Sequence, residues 1–145
     1  MTTRILFVCL GNICRSPAAE GVFRGLAPEI QTDSAGTGNW HVGEAPYAPM
    51  QRAAKVRGLD ISDLRARQFH VCDFAEFDLI VAMDDTNISD IERLRPAGSD
   101  TAVKRLTDFA PKARMDHVPD PYYTRDFDGV LDLIEEAARG LHAAL

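Results

Sequence analysis

Long hydrophobic runs are missing from this sequence. The longest wholly apolar stretch is the six residues from Ile5 to Leu10, whereas a helix needs roughly 20 to cross a bilayer, so no membrane span is expected. No secretory leader is expected either: the N-terminus offers one Arg, that short run and then G-N-I-C-R, where a secretory signal needs a longer apolar core and a small-residue cleavage site. A cytoplasmic protein is the expectation. Cysteine is scarce and odd in number. Cys9, Cys14 and Cys72 include no C-x-x-C pair, which sets aside a disulfide framework and a four-ligand zinc site. His41, His70, His117 and His142 lack ligand spacing and read as surface or structural residues, so no metal is expected. Positive charge is in deficit, with 16 Lys and Arg against 22 Asp and Glu for a formal net charge of −6. A general binder of nucleic acid or anionic membrane needs a basic face, so any anion must be held locally here.

What is present suits one compact domain over residues 1–145. The chain is 46% hydrophobic and 26% charged, enough to bury a core and unlike a disordered tail, a collagen or a long coiled coil. Arg4 to Cys9, apolar on both faces and stopped by Gly11, reads as a strand buried in a parallel sheet. Ser16 followed by Pro17 reads as a helix N-cap with proline at the first helical position, and Ala18, Ala19, Val22, Phe23 and Leu26 give that helix an apolar stripe to about Ala27. A second strand is expected over Ile30 to Ala35. A helix from about Pro49 to Arg57, with Met50, Ala53, Ala54 and Val56 on its stripe, is closed by Gly58. Asp78 to Met83 reads as a third strand, followed by a helix carrying Ile88, Ile91 and Leu94 that ends at Pro96. Val103 to Leu106 reads as a short fourth strand, and Phe127, Val130, Leu131, Ile134, Ala138 and Leu141 mark a closing helix. Strand and helix alternate. The expected fold is a single doubly wound α/β domain with a central four-stranded parallel sheet flanked by helices, whose ligands sit at the carboxyl ends of the strands.

The loop after the first strand, Cys9-Leu10-Gly11-Asn12-Ile13-Cys14-Arg15-Ser16, is therefore the place to look. A short loop entering a helix N-terminus turns several backbone N–H groups inward and makes an anion cradle sized for a phosphate. It lacks the Walker pattern and its lysine. A cysteine at its first position sits above the ring of donors and near the Arg15 guanidinium, a setting that favours a thiolate nucleophile. The planar fork of Arg15 suits two oxygens of a phosphoryl group. Asn12 can lock the loop, and the Ser16 hydroxyl can donate to the Cys9 sulfur. A Cys six residues before an Arg is a weak signal alone; the strand before it, Gly and Asn between, and Ser-Pro after give it weight. Cys14, five residues on in the same loop, is expected to protect an oxidised Cys9 by forming a disulfide. Cys72 reads as a small buried residue.

Phosphoryl transfer from a phenolic ester also needs an acid for the leaving oxygen. Asp120, stiffened by Pro119 and Pro121 in P-D-P-Y-Y, supplies one, and Tyr122, Tyr123 and Trp40 read as aromatic walls of a slot for a flat ring.

With these residues in view, the sequence resembles the low-molecular-weight protein tyrosine phosphatases over nearly its whole length. V-C-L-G-N-I-C-R-S-P-A-A-E, D-S-A-G-T with the Trp after it, A-R-Q before Phe69, A-M-D at Ala82 to Asp84, and D-P-Y-Y stand in that family's order and spacing. The resemblance implies Cys9 as nucleophile, Arg15 as phosphate clamp, Asn12 and Ser16 as loop and thiolate supports, Asp120 as general acid, and Ser34 behind the loop as a partner of Asn12. It implies hydrolysis of phosphotyrosine in proteins or peptides, inhibition by phosphate and other oxyanions, and no cofactor. One departure stands out: Leu64 occupies a position where members often place a His, which implies an altered polar network behind the loop. The chain also resembles thioredoxin-linked arsenate reductases, which need a downstream cysteine pair where only Cys72 stands. Protein arginine phosphatases resemble it less at Ile13, where they carry a small Thr, and at Tyr122, where they tend to carry Phe.

Overall fold

The structure, a computed structural model, describes residues 3–145. Its first strand, β1 (Arg4–Cys9), is buried from Ile5 onward because consecutive side chains leave opposite faces and both faces are covered. Ile5, Phe7 and Cys9 enter the larger core layer, whereas Leu6 and Val8 enter the smaller one. β1 runs into α1 (Arg15–Leu26), which returns to β2 (Gln31–Gly36). Beyond a long loop come α2 (Ala48–Val56) and the one-turn α3 (Asp73–Glu76), then β3 (Leu79–Ala82), α4 (Asp85–Glu92) and β4 (Ala102–Arg105). Two 3₁₀ turns, Leu106–Phe109 and Pro111–Ala113, lead to the one-turn α5 (Pro121–Thr124) and the long α6 (Phe127–Ala144).

The sheet is four-stranded and parallel throughout, in the order β2-β1-β3-β4. α1, α2 and α6 bury Phe23, Met50 and Ile134 in the larger layer, while α3 and α4 bury Phe74 and Ile91 in the smaller one. The chain leaves β1 toward β2 on one side and takes up β3 on the other. The carboxyl end of β1 is thus the topological switch point, where the diverging connections open a crevice. Among the described residues no helix is long and apolar enough to cross a membrane.

Several local expectations are corrected. Ser16 is not the N-cap: Cys14 holds that position without a side-chain bond, and the buried Ser16 hydroxyl turns back into the loop instead. Leu26, Val56 and Leu94 are exposed rather than on buried stripes: Leu26 and Val56 are the last residues of their helices, and Leu94 lies beyond α4, which ends at Glu92 rather than running to Pro96. Cys72 is exposed at the start of α3, where the chain turns over the surface. The one-turn α3 and α5 carry too few residues for a period to register.

Candidate active site

The loop from Cys9 to Arg15 is wound so that its carbonyls point outward. Thr37 N–H donates to Cys9 O (2.9 Å), Gly38 N–H to Leu10 O (2.9 Å) and Tyr47 N–H to Ile13 O (2.7 Å). Asn12 N–H turns the other way, toward the sulfur, and donates to Cys9 Sγ (3.2 Å). Asn12 makes the turn with φ of 56°, a left-handed conformation that Asn tolerates better than most side chains. Gly36 closes in from β2, where a Cβ would stand 2.8 Å from Leu10 O and 3.1 Å from Asn12 N.

Asn12 also organises the space behind the sulfur. Its amide donates to Ser16 Oγ (2.7 Å) and Ser34 Oγ (3.0 Å), and its carbonyl accepts from Arg67 N–H (3.0 Å). Since Ser16 Oγ accepts from Asn12, its own proton is available to Cys9 Sγ, 3.0 Å away. Ser34 in turn donates to Glu20 Oε1 (2.7 Å). The polar chain therefore survives with Leu64 in place of a histidine, and Leu64 packs against the larger core layer. Burial pushes the Glu20 carboxyl up to about 7, opposed by the hydrogen bond from Ser34 and reinforced by Asp33.

Arg15 is 3% exposed, and its fork is oriented from two sides. Nη1 donates to Asp84 Oδ2 (2.8 Å) and to Val118 O (3.1 Å), while Nη2 lies 3.5 Å from Asp120 Oδ2. Burial opposes its charge, but Cys9, Asp84 and Asp120 together hold its pKa above the ordinary arginine value. Asp84 is itself fixed as the N-cap of α4, its Oδ1 accepting from Asn87 N–H (2.8 Å). Asp120 is the N-cap of α5: Oδ1 accepts from Tyr122 N–H (3.0 Å), leaving Oδ2 toward Arg15. Burial, with Cys9 and Asp120 adding to it against Arg15 and Arg125, pushes the Cys14 thiol up to about 12.

These groups meet in a cavity of about 290 Å³ lined by Cys9, Leu10, Gly11, Ile13, Cys14 and Arg15 at the floor and by Trp40, His41, Asp120, Tyr122 and Tyr123 above. Trp40, Tyr122 and Tyr123 are 68%, 44% and 75% exposed, so they form a rim open to solvent. Asn12, Ser16 and Ser34 stand behind the loop rather than in the cavity wall. Two members of the site went unread in the sequence. Asp84 stood in a noted motif without a role, although an acid at the end of the strand beside β1 is the signal that finds it. His41 follows Trp40 and reaches the cavity with its Nδ1 2.7 Å from Glu44 Oε2. No group of three or more His, Cys, Asp or Glu side chains among the described residues is placed to hold a metal ion.

The pocket thus brings Cys9 and Arg15 together beneath a rim of aromatic side chains. Residues 4–145 match the family model for low molecular weight phosphotyrosine protein phosphatase, and the chain belongs to that family. The Bacillus subtilis low molecular weight protein-tyrosine-phosphatase YfkJ is 40% identical, over 97% of this chain and 94% of the relative. Its crystal structure superposes with a TM-score of 0.94 at 39% identity, covering 99% and 94% of the two chains. A putative low molecular weight protein-tyrosine-phosphatase of Synechocystis is 46% identical, over 98% of this chain and 96% of its own. The Drosophila arginine phosphatase shares the fold with a TM-score of 0.90 at 30% identity, over 97% and 96%.

Proposed function

We propose that the protein hydrolyses phosphotyrosine in proteins or peptides through a phosphocysteine intermediate. The observation that carries this reading is Cys9 at the floor of a cavity whose upper wall holds Asp120, with Arg15 between them. Cys9 Sγ attacks phosphorus in line as the P–O bond to the phenol breaks, and Asp120 gives its proton to the departing oxygen. The loop amides and the Arg15 fork hold the equatorial oxygens, on which charge is spread during transfer. Asp120, now a carboxylate, takes a proton from water. That water attacks phosphorus, the S–P bond breaks, phosphate leaves, and the Ser16 hydroxyl supports the returning thiolate. Every group in the scheme comes from the chain itself. Phosphate and other oxyanions compete for the same cradle.

The likeness to the Drosophila arginine phosphatase makes phosphoarginine the second reading. Ile13 lines the cavity with a bulky branched side chain and Tyr122 adds an aromatic wall, apolar surfaces that suit a phenyl ring better than a charged guanidinium. Turnover of otherwise identical phosphotyrosine, phosphoserine and phosphoarginine peptides decides between them. Phosphotyrosine is expected to lead by orders of magnitude; leadership by phosphoarginine overturns the substrate assignment.

A further inference from the structure

Asp120 precedes a helix of a single turn, which has little stability of its own, so its position depends on tertiary ties at both ends. Upstream, Val118 N–H donates to Met83 O (2.8 Å) and Val118 O accepts from Arg15. Downstream, Arg125 ends α5 in a left-handed conformation (φ 63°) and donates from Nη1 to the Tyr47 hydroxyl (2.9 Å). Its guanidinium lies over the rings of Tyr47 (5.4 Å) and Phe127 (5.2 Å). The Tyr47 ring lies 5.2 Å from that of Tyr122, inside α5 itself. The backbone N–H of Tyr47 donates to Ile13 O of the phosphate loop. One residue thus touches the phosphate loop with its backbone, the middle of α5 with its ring and the end of α5 with its hydroxyl.

We propose that Tyr47 is a positioning residue that holds Asp120 at its working height above the Cys9 loop. The proposal rests on Asp120 acting as the general acid. An exposed hydrogen bond adds little to stability, but a small displacement of an acid costs proton transfer directly, so the consequence belongs to one chemical step rather than to folding. The loss grows with the basicity of the leaving oxygen, because such an oxygen depends most on the proton.

The test compares two aryl phosphates, one with a basic and one with an activated leaving group, in Tyr47→Phe, Asp120→Asn and the double variant. Tyr47→Phe keeps the ring and the backbone bond. It is expected to lower kcat on the basic substrate about three- to tenfold, the range of one hydrogen bond, with KM and the activated substrate little changed. In the Asp120→Asn background the same change is expected to cost nothing further. Equal losses on both substrates, or a full additional loss in the double variant, overturn the positioning role. If Asp120→Asn itself slows both substrates equally, the acid assignment fails and the proposal falls with it. If Asp120→Asn is selective but Tyr47→Phe is not, only the Tyr47 inference falls.

Discussion

Cys9 and Cys14 sit in one buried loop. Cys14 is kept a thiol by burial and by the charges of Cys9 and Asp120, so it does not compete as a nucleophile. It retains the capacity to condense with a sulfenic acid on Cys9, expelling water and forming a disulfide. Mild peroxide is therefore expected to inactivate the enzyme reversibly, and Cys14→Ser is expected to leave turnover largely intact while making the loss harder to reverse with thiols. Mass mapping of the oxidised chain checks this; a Cys9–Cys72 link, or full thiol recovery in Cys14→Ser, speaks against it. At this scale the grouping of Cys9, Arg15 and Asp120 around one cavity was legible, because the residue types and their neighbours suggested a shared chemistry. Asp84 and Tyr47 were not, because their partners Arg15 and Arg125 lie far away in sequence, and His41, read as a surface or structural residue, reaches the cavity only through the course of the loop after β2. Ser16 was read both as a cap and as a donor to Cys9; the second reading matches the structure, because its hydroxyl is engaged by Cys9 and Asn12 within the loop.

The alternating apolar runs made the elements themselves readable: the four strands lie within a residue or two of where their patterns end, and α6 starts at the first residue of its pattern, Phe127. The short α3 and α5 were invisible: a single turn has no period, and α5 is shaped by the Asp120 cap and the Tyr47 tie. The meeting of β2 with the phosphate loop gives a test at this scale. Gly36 is needed for space rather than for backbone conformation, because a Cβ there would press on Leu10 O and Asn12 N, which are backbone atoms that cannot swing aside. Gly36→Ala is expected to destabilise the protein by about 1–3 kcal/mol, as overpacking does. Turnover is expected to fall by more than tenfold at temperatures where the variant remains folded, since a loop displaced by about 1 Å can cost roughly a hundredfold in rate. Circular dichroism melts beside kcat measurements would separate the two, and an unchanged kcat would show that the loop does not depend on this close approach.

For the whole molecule, the buried chain from Glu20 through Ser34 and Asn12 to the phosphate loop links catalysis to stability. A folded Glu20 titrating at about 7, against an ordinary value near 4.5, means that the folded state binds the proton more tightly than the unfolded chain. The resulting stability is fully present below about pH 4.5, declines as pH rises toward 7 and levels off above, a loss of up to about 3 kcal/mol. Glu20→Gln removes that decline, so urea unfolding across the range should show the variant gaining on the wild type from about pH 5 to pH 8; parallel curves would rule the linkage out. The doubly wound parallel sheet followed from the alternation of strands and helices and from the apolar runs, whereas its order and this buried carboxyl did not; the apolar stripe of α1 gave no reason to place Glu20 inside.

The most direct test of the account is to trap the covalent intermediate. Asp120→Ala, mixed with an aryl phosphate bearing an activated leaving group and quenched in acid within the first turnover, should yield a peptide carrying one phosphoryl group on Cys9, and Cys9→Ser should yield none and no turnover. Turnover that persists in Cys9→Ser, or a phosphoryl group found on any other residue, would contradict it.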